Sequence, residues 1–327
     1  MGIPRVTVVI VNFNGGEHLL RCLAGLAAQT VPPRAIVLID NASSDRSLAA
    51  AHAAVTADPR LAERTTIESL PDNLGFAAAA NRGLAQADTE FVALLNPDAV
   101  PAPVWLEKLL ESVGRHPQVA AFGSRQMRCG DTNVLDGVGD SYHVSGLVWR
   151  AGHGRALRPA DLVPREIFSP CAAAALYRRD AVLAVGGFDE AFFCYCEDVD
   201  LGFRLRLAGE RAWYVPEAVV HHVGGASSGG TASDTAAYYG HRNLVWVFVK
   251  NMPLPLLVGF LPAHLLQTMI AGMRLAWRGQ GRLFVRCKWD ALRGLADCWR
   301  RRRAVQAART AGLGTIWRAL DKGLWPR

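Results

Sequence analysis

Four apolar runs, each closed by a polar turn and most followed by a helical pattern, fill the first hundred residues and leave few folds open. Residues 6–11 are mostly β-branched and break at 12–16, before the helical spacing of Leu19, Leu20, Leu23 and Leu26. Residues 35–39 form a second run ending at Asp40, after which Ser43, Ser44 and Asp45 offer caps for a helix through Ala54. A third run over 65–70 leads into Pro71-Asp72-Asn73-Leu74-Gly75 and an alanine-rich helix to Gln86, and the fourth begins at Phe91. This alternation predicts an α/β fold with a mostly parallel central sheet flanked by helices. Asn12, Asp40, Asn73 and Asp98 fall at or just past strand ends, and parallel strands would bring them to one edge. Each could instead serve only its own turn.

The fourth run ends in Asn96-Pro97-Asp98, which makes Asp98 the first carboxylate to suspect of holding a metal or a phosphate-bearing substrate. Residues 124–166 lose the regular pattern and read as an irregular insertion or short antiparallel excursion beside the site. Val199, Phe203 and Leu207 then share one helix face, with Glu197, Asp198 and Asp200 in its first turns. Those acids suit a helix start for electrostatic reasons alone. A carboxylate on an aromatic rim, with Arg204 and Arg206 nearby, also suits a general base. His221 and His222 close a strand-like run; they point opposite ways on an extended chain, so one at most joins Asp98 at a divalent metal.

The net charge of +7 is unevenly placed: from Arg274 onward there are 14 Lys and Arg against 3 Asp and Glu, leaving the first 273 residues near −4. A basic tail does not require the body to bind a polyanion. Seven cysteines without ligand spacing point to a reducing compartment rather than a disulfide scaffold, and residues 1–11 read as a first strand rather than a signal peptide. Residues 251–273 carry no Lys, Arg, Asp or Glu, yet Pro253, Pro255 and Pro262 interrupt them. They read as an interfacial or core-packed helix rather than a span. Arg274, Arg278, Arg282 and Arg286 would form a stripe on one helix, and tryptophans with Arg300 to Arg303 suit an anionic bilayer surface, or equally a solvated basic helix or an RNA-binding tail.

In order, the segments VVIVNFNG (8–15), LIDNASSD (38–45), DNLGFAAAANRG (72–83), LLNPDA (94–99), GGFDEAFFCYCEDVDLGFRLRLAG (186–209) and HVGGASS (222–228) resemble the family 2 inverting glycosyltransferases of GT-A fold. The resemblance is to their rhamnosyltransferase-like branch and covers about residues 5–250. It implies a GT-A nucleotide-diphospho-sugar transferase domain over 1–250, with the nucleotide-binding part in 1–100 and the metal, acceptor and catalytic part in 101–250. Residues 251–327 are then a helical, basic, membrane-associated extension.

By the same resemblance, Asn12, Phe13, Asn14 and Asp40 hold the nucleotide base, and Asn73, Gly75 and Asn81 complete the nucleotide-sugar pocket. The acidic metal motif falls on Asn96, Pro97 and Asp98, with asparagine where the first acid is expected. His222 is the preferred extra ligand for Mg2+ or Mn2+. Asp198 takes the base position beside Glu197. The expected activity is transfer of a sugar, L-rhamnose from a deoxythymidine-linked donor first and a uridine-linked hexose second, to a hydroxyl of a cell-envelope glycan or lipid-linked acceptor. The expected location is cytoplasmic, peripheral on the inner face of the membrane. The competing reading is a non-catalytic nucleotide-sugar or glycan-binding protein; a nucleic-acid partner is not expected.

Overall fold

In the computed structural model, which describes residues 5–131, 133–224 and 233–323, the first hundred residues alternate strand and helix. Strand β1 (Val6–Asn12), helix α1 (Gly16–Ala27), β2 (Ala35–Asp40), α2 (Ser47–Ala57), the single turn α3 (Pro59–Ala62), β3 (Thr65–Ser69), α4 (Gly75–Gln86) and β4 (Phe91–Leu95) follow in order. The strands β3, β2, β1 and β4 are neighbours and parallel throughout, with Asn12 directly opposite Asp40. Every residue of β1 is buried, because both sheet faces are covered. Val8 and Ile10 pack toward α1 and α2, whereas Val9 and Val11 pack toward α4.

Beyond β4 the sheet becomes mixed. After β5 (Ala99–Pro101), α5 (Trp105–Arg115), β6 (Ala121–Arg128), β7 (Leu135–Gly137), β8 (Asp140–Tyr142), β9 (Val148–Arg150) and β10 (Arg165–Ile167), β11 (Ala174–Arg178) inserts antiparallel between β4 and β6. The stretch 124–166 thus contains a short antiparallel pair, β8 with β9. Helices α6 (Arg179–Ala184) and α7 (Glu197–Leu207) lead to the long strand β12 (Ala212–His222), which lies parallel to β6.

Helix α8 (Asp234–Asn251) crosses residue 250, and α9 (Leu254–Trp277), α10 (Gly281–Arg293), α11 (Leu295–Ala307) and α12 (Leu313–Ala319) follow. A third apolar core joins Phe203 of α7 and Trp246, Phe248 and Met252 of the α8 region to Cys298, Ile316 and Leu320. The tail therefore packs against the helix that carries the candidate base.

Four local expectations change. Ser43 and Ser44 do not cap α2; Ser43 Oγ accepts from the Asn14 backbone N–H (2.9 Å), and Asp45 holds the Ser47 N–H instead (3.0 Å). The arginine stripe is broken, because Gly279 takes φ +80° and turns the chain between α9 and α10. Of Arg300 to Arg303, two turn inward: Arg302 is buried and donates to the carbonyls of Val249 and Met252, while Arg301 pairs with Asp189. Helix α9 is not core-packed, since only Leu257, His264 and Leu275 of its 24 residues are buried.

Candidate active site

The parallel order of β3, β2, β1 and β4 carries Asn12, Asp40, Asn73 and Asp98 toward one sheet edge. Asn12 is fully buried, and its amide donates to Asp40 Oδ1 (2.7 Å), Ser43 Oγ (3.0 Å) and Ser47 Oγ (2.9 Å). The second Asp40 oxygen accepts from the Ser43 N–H (3.1 Å). Asn12 thus braces Asp40. Phe13 and Asn14 remain partly exposed beside it, with Asn14 Oδ1 capping the Ser44 N–H (2.8 Å). Asn73 accepts from Asn41 Nδ2 and from the Gly75 N–H, both at 2.9 Å. Asn81 is bonded in both directions to the 188–190 segment, donating to Phe188 O and Glu190 and accepting from the Phe188 N–H. Gly75 has φ +82°, and a Cβ there would lie 2.6 Å from Phe193 O.

On the other side of β1, strand β12 pairs His222 with Ala99, just beyond Asn96-Pro97-Asp98. His222 is buried and partners carboxylates at both ring nitrogens: Nε2 lies 3.2 Å from Asp98 Oδ1, and Nδ1 lies 2.8 Å from Asp136 Oδ2. Asn96 Nδ2 is 3.5 Å from the same Nε2. His221 faces the other way, as the extended backbone requires. Burial alone would depress the imidazole, yet Asp136 and Asp98 carry its pKa up to about 9. Burial works against Asp136 ionising, but His153, His222 and Arg150 hold its carboxyl well below the usual range. Of the segment after His222, Gly225 to Ser228 lie outside the described residues.

The network continues toward α7. Arg150 Nη1 reaches Asp136 at 2.6 Å and its Nε approaches Asp140 at 3.9 Å. Asp140, Cys171 and Asp198 present ligand-type atoms within 4.8 Å of one another. Burial, then the nearby Asp198, pushes the Asp140 carboxyl well above its ordinary value, and burial does the same to the Cys171 thiol. Asp198 is half-buried and accepts the Ala172 N–H at 3.1 Å. Glu197 is buried beside it; burial and then Asp198 raise its pKa well above the ordinary range, and its Oε2 has no hydrogen-bond partner among the described residues. Arg204 and Arg206 do not neutralise these two acids: Arg204 pairs with Asp200 (2.8 Å) and Arg206 with Glu166 (3.0 Å).

One strand entrance ties both halves together. The Asn96 N–H donates to Ala173 O (2.9 Å), and its neighbour Ala172 supplies the N–H held by Asp198. Among the described residues, two places therefore offer ligands to a divalent cation: the Asp98–His222 pair and the Asp140–Cys171–Asp198 group. The first fits better. Metal bonds of roughly 2.0–2.2 Å set adjacent ligand atoms about 3 Å apart, and a histidine that ligates through one nitrogen commonly has the other held by a carboxylate. Both are met at His222. At the second group a cation would have to displace protons from a buried carboxyl and a buried thiol, whereas at the first it displaces only the His222 proton. Asp136, Asp140 and Arg150 were not apparent from sequence, because they lie in an aperiodic Gly- and Asp-rich stretch whose DG and GD pairs read as turns.

A mixed sheet whose parallel half carries its polar strand ends to one edge, flanked by helices and followed by a helical region, is an α/β fold of GT-A type. The chain belongs to glycosyl transferase family 2, whose profile matches residues 7–186. It is 34% identical over 272 residues to the N-acetylglucosaminyl-diphospho-decaprenol L-rhamnosyltransferase of Mycobacterium tuberculosis, covering 75% of this chain and 83% of that protein. Among solved structures, it resembles GalNAc-T7 with UDP, GalNAc and Mn2+ (TM-score 0.60, 17% identity, 76% of this chain and 48% of that one). It also resembles a mannosyltransferase from Pyrobaculum calidifontis in complex with GDP-Man and Mn2+ (TM-score 0.57, 20% identity, 98% and 88%). The protein is thus an inverting-type glycosyltransferase that moves a sugar from a nucleotide donor to an acceptor.

Proposed function

We propose that this enzyme transfers L-rhamnose from deoxythymidine-diphosphate-rhamnose to a hydroxyl of a lipid-linked glycan at the membrane surface. The observation that carries the mechanism is the shared entrance to β11: Ala173 anchors the Asn96-Pro97-Asp98 turn, and Ala172 anchors Asp198. Donor diphosphate and acceptor hydroxyl can then meet in one crevice. The rhamnosyl group and the lipid carrier are supported by the mycobacterial relative, an L-rhamnosyltransferase named for N-acetylglucosaminyl-diphospho-decaprenol.

Asp40, braced by Asn12, is assigned to the nucleotide with Phe13, Asn14 and Asn73. Gly75 and Asn81 shape the sugar side by joining α4 to residues 188–193. Asp98 and His222 would hold Mg2+ or Mn2+, supported by the Mn2+ in both structural relatives; when bound, it would offset charge on the departing diphosphate. Asp198 accepts the acceptor hydroxyl's proton. As that oxygen bonds to the anomeric carbon, the carbon's bond to the diphosphate oxygen on the opposite face breaks, and the configuration inverts. Asp198 is preferred to Glu197 because its carboxylate is only half-buried, within reach of an acceptor.

A uridine-linked hexose is the second donor, favoured by the UDP in one structural relative. Residues 1–250 act as the transferase domain and 251–327 as the membrane-associated extension. α9 is the one helix among the described residues long and apolar enough to cross a membrane. Leu254, Val258, Leu261, Leu265, Met269 and Met273 form an exposed stripe along it. Arg274, Arg278, Arg282 and Arg286 lie just beyond, with Trp277 and Trp289 exposed among them. An apolar face edged by arginine and tryptophan suits the interface plane of an anionic bilayer, on the cytoplasmic side where nucleotide sugars are found.

The test is mass-spectrometric detection of transfer with purified protein, membrane lipid extract and either donor. Rhamnosylated lipid formed only from the deoxythymidine donor is the expected result. Transfer from the uridine donor alone replaces the first assignment with the second, and no transfer from either rejects both.

A further inference from the structure

The segment immediately before α7 holds an unusual backbone. Phe193, Tyr195 and Cys196 have φ of +65°, +67° and +64°, in a region that residues with a side chain rarely adopt. Phe193, with ψ −69° and the Cys194 N–H donating to Phe192 O at 2.8 Å, forms the strained kind of γ-turn. Such a conformation persists only where the surroundings over-determine it. Glu197 and Asp198 follow directly, so the loop sets where the candidate base begins.

One side chain supplies most of the restraint. Asn243 of α8 is fully buried, and its Nδ2 lies within hydrogen-bond distance of three loop carbonyls: Phe192 (3.0 Å), Cys194 (2.9 Å) and Tyr195 (2.7 Å). Its Oδ1 accepts from Arg242 Nε at 2.9 Å, which fixes the amide with its donors toward the loop. Arg242 also donates through Nη2 to Ala191 O and Phe192 O, both at 2.9 Å, and lies over the rings of Tyr239 and Trp246. From the other side, Gly75 abuts Phe193, and the Ala77 N–H donates to Phe193 O at 3.1 Å.

We infer that Asn243 is a positioning residue for transfer: its amide holds residues 192–196 in the turn, with positive φ at Phe193, Tyr195 and Cys196, that places Asp198 against Ala172 and the acceptor side of the crevice. Asn243 touches no reacting group in this assignment. It acts through the loop, and the inference rests on the reading of Asp198 as the base.

The loop chemistry supplies its own test. Glycine adopts positive φ without the penalty of a Cβ, so Cys196→Gly should relieve the need for the clamp. Single-turnover transfer from deoxythymidine-diphosphate-rhamnose to membrane lipid extract, donor KM, nucleotide affinity by calorimetry and thermal midpoint are measured for each variant. Asn243→Ala should lower the transfer rate roughly 10- to 100-fold, the scale of displacing a reacting group by about 1 Å, with donor KM and nucleotide affinity nearly unchanged. Cys196→Gly should be close to the parent alone and should recover part of the rate in the Asn243→Ala background.

Should Asn243→Ala not fold, Asn243→Ser decides, because its hydroxyl fills part of the buried site but can donate to only one of the three loop carbonyls; the same split of rate from KM is expected. A parent-like transfer rate per folded molecule in Asn243→Ala, or no recovery with Cys196→Gly, overturns the inference. Asp198→Asn in parallel keeps the two readings apart. If that variant retains transfer, the base assignment fails; if it is inactive while Asn243→Ala is normal, only the positioning role fails.

Discussion

The carboxylate of Asp136 holds Nδ1 of His222 at 2.8 Å, leaving Nε2 to face Asp98. A buried second carboxylate therefore fixes the ring's orientation, and a cation at Nε2 would take the place of the proton there. His222→Ala should remove most Mn2+ affinity, and Asp136→Asn should weaken it by roughly 10- to 100-fold, the usual scale for losing such a partner. Calorimetric Mn2+ titration in the presence of nucleoside diphosphate checks this. Parent-like affinity in both variants would place the cation elsewhere, with Asp140, Cys171 and Asp198 the next candidates.

Asp198→Asn keeps the side chain's shape but removes its capacity to accept a proton. Nucleotide affinity should stay close to that of the parent while single-turnover transfer falls roughly 100-fold or more. Glu197→Gln should be milder, since its buried carboxyl is already pushed toward the neutral form. Inactive Glu197→Gln beside near-normal Asp198→Asn would move the base by one residue.

Gly75 is a glycine near the site whose replacement the structure tolerates poorly. Its φ of +82° disfavours any Cβ, and the nearest atoms to one belong to Phe193 at 2.6 Å, including a backbone oxygen that cannot rotate away. Gly75→Ala should cost about 2 kcal/mol or more in urea unfolding and should lower transfer as well. A fully stable, fully active variant would mean that α4 and the 192–196 loop move apart freely.

The parallel alternation and the shared edge were legible in sequence because β-branched runs and glycine turns are local signals; the strand order was not, since β1 lies between β2 and β4. That at most one of His221 and His222 faces inward followed from the two-residue period of a strand, and the family resemblance singled out His222. Asp136 and Asn243 were not legible for opposite reasons. Asp136 lies in an aperiodic loop where aspartate reads as turn chemistry, whereas Asn243 lies mid-helix and looks like a neutral surface residue. Its three acceptors are 48 to 51 residues away. Ser43 misled for a related reason: a hydroxyl before a helix reads as a cap, yet the buried Asn12 amide captured it.

Asp200, two residues past the candidate base, is fully buried between Lys250 Nζ (2.7 Å), Arg204 Nε (2.8 Å) and Asn251 Nδ2 (2.8 Å). Burial would raise its pKa, but Lys250 and Arg204 outweigh it and hold the carboxyl below its ordinary value. A carboxyl depressed by folding contributes stability that is present above the unfolded value, about 3.9, and is lost as pH falls through the folded value. Stability should therefore drop steeply below about pH 4. Asp200→Asn should reduce that acid dependence and cost roughly 3–5 kcal/mol at pH 7, the scale of leaving a buried cation short of its partner. Urea unfolding at pH 7 and pH 3.5 measures both effects.

Deleting the tail cannot test membrane docking cleanly, because Arg302 holds the end of α8 and Arg301 meets Asp189. Truncation would disturb the fold that carries Asp198. The exposed stripe allows a sharper test: Val258, Leu265 and Met269 are each more than half exposed, so glutamate there should leave the thermal midpoint nearly unchanged. The triple variant should lose binding to phosphatidylglycerol vesicles, since apolar burial and charge attraction fail together. Arg274, Arg278 and Arg282 changed to Gln should weaken binding by about 1 kcal/mol each, roughly fivefold per residue, at physiological salt. The apolar contribution persists in high salt, where the arginine contribution is screened. Equal vesicle binding by parent and triple variant would show that α9 is not the docking face, whatever the arginines do.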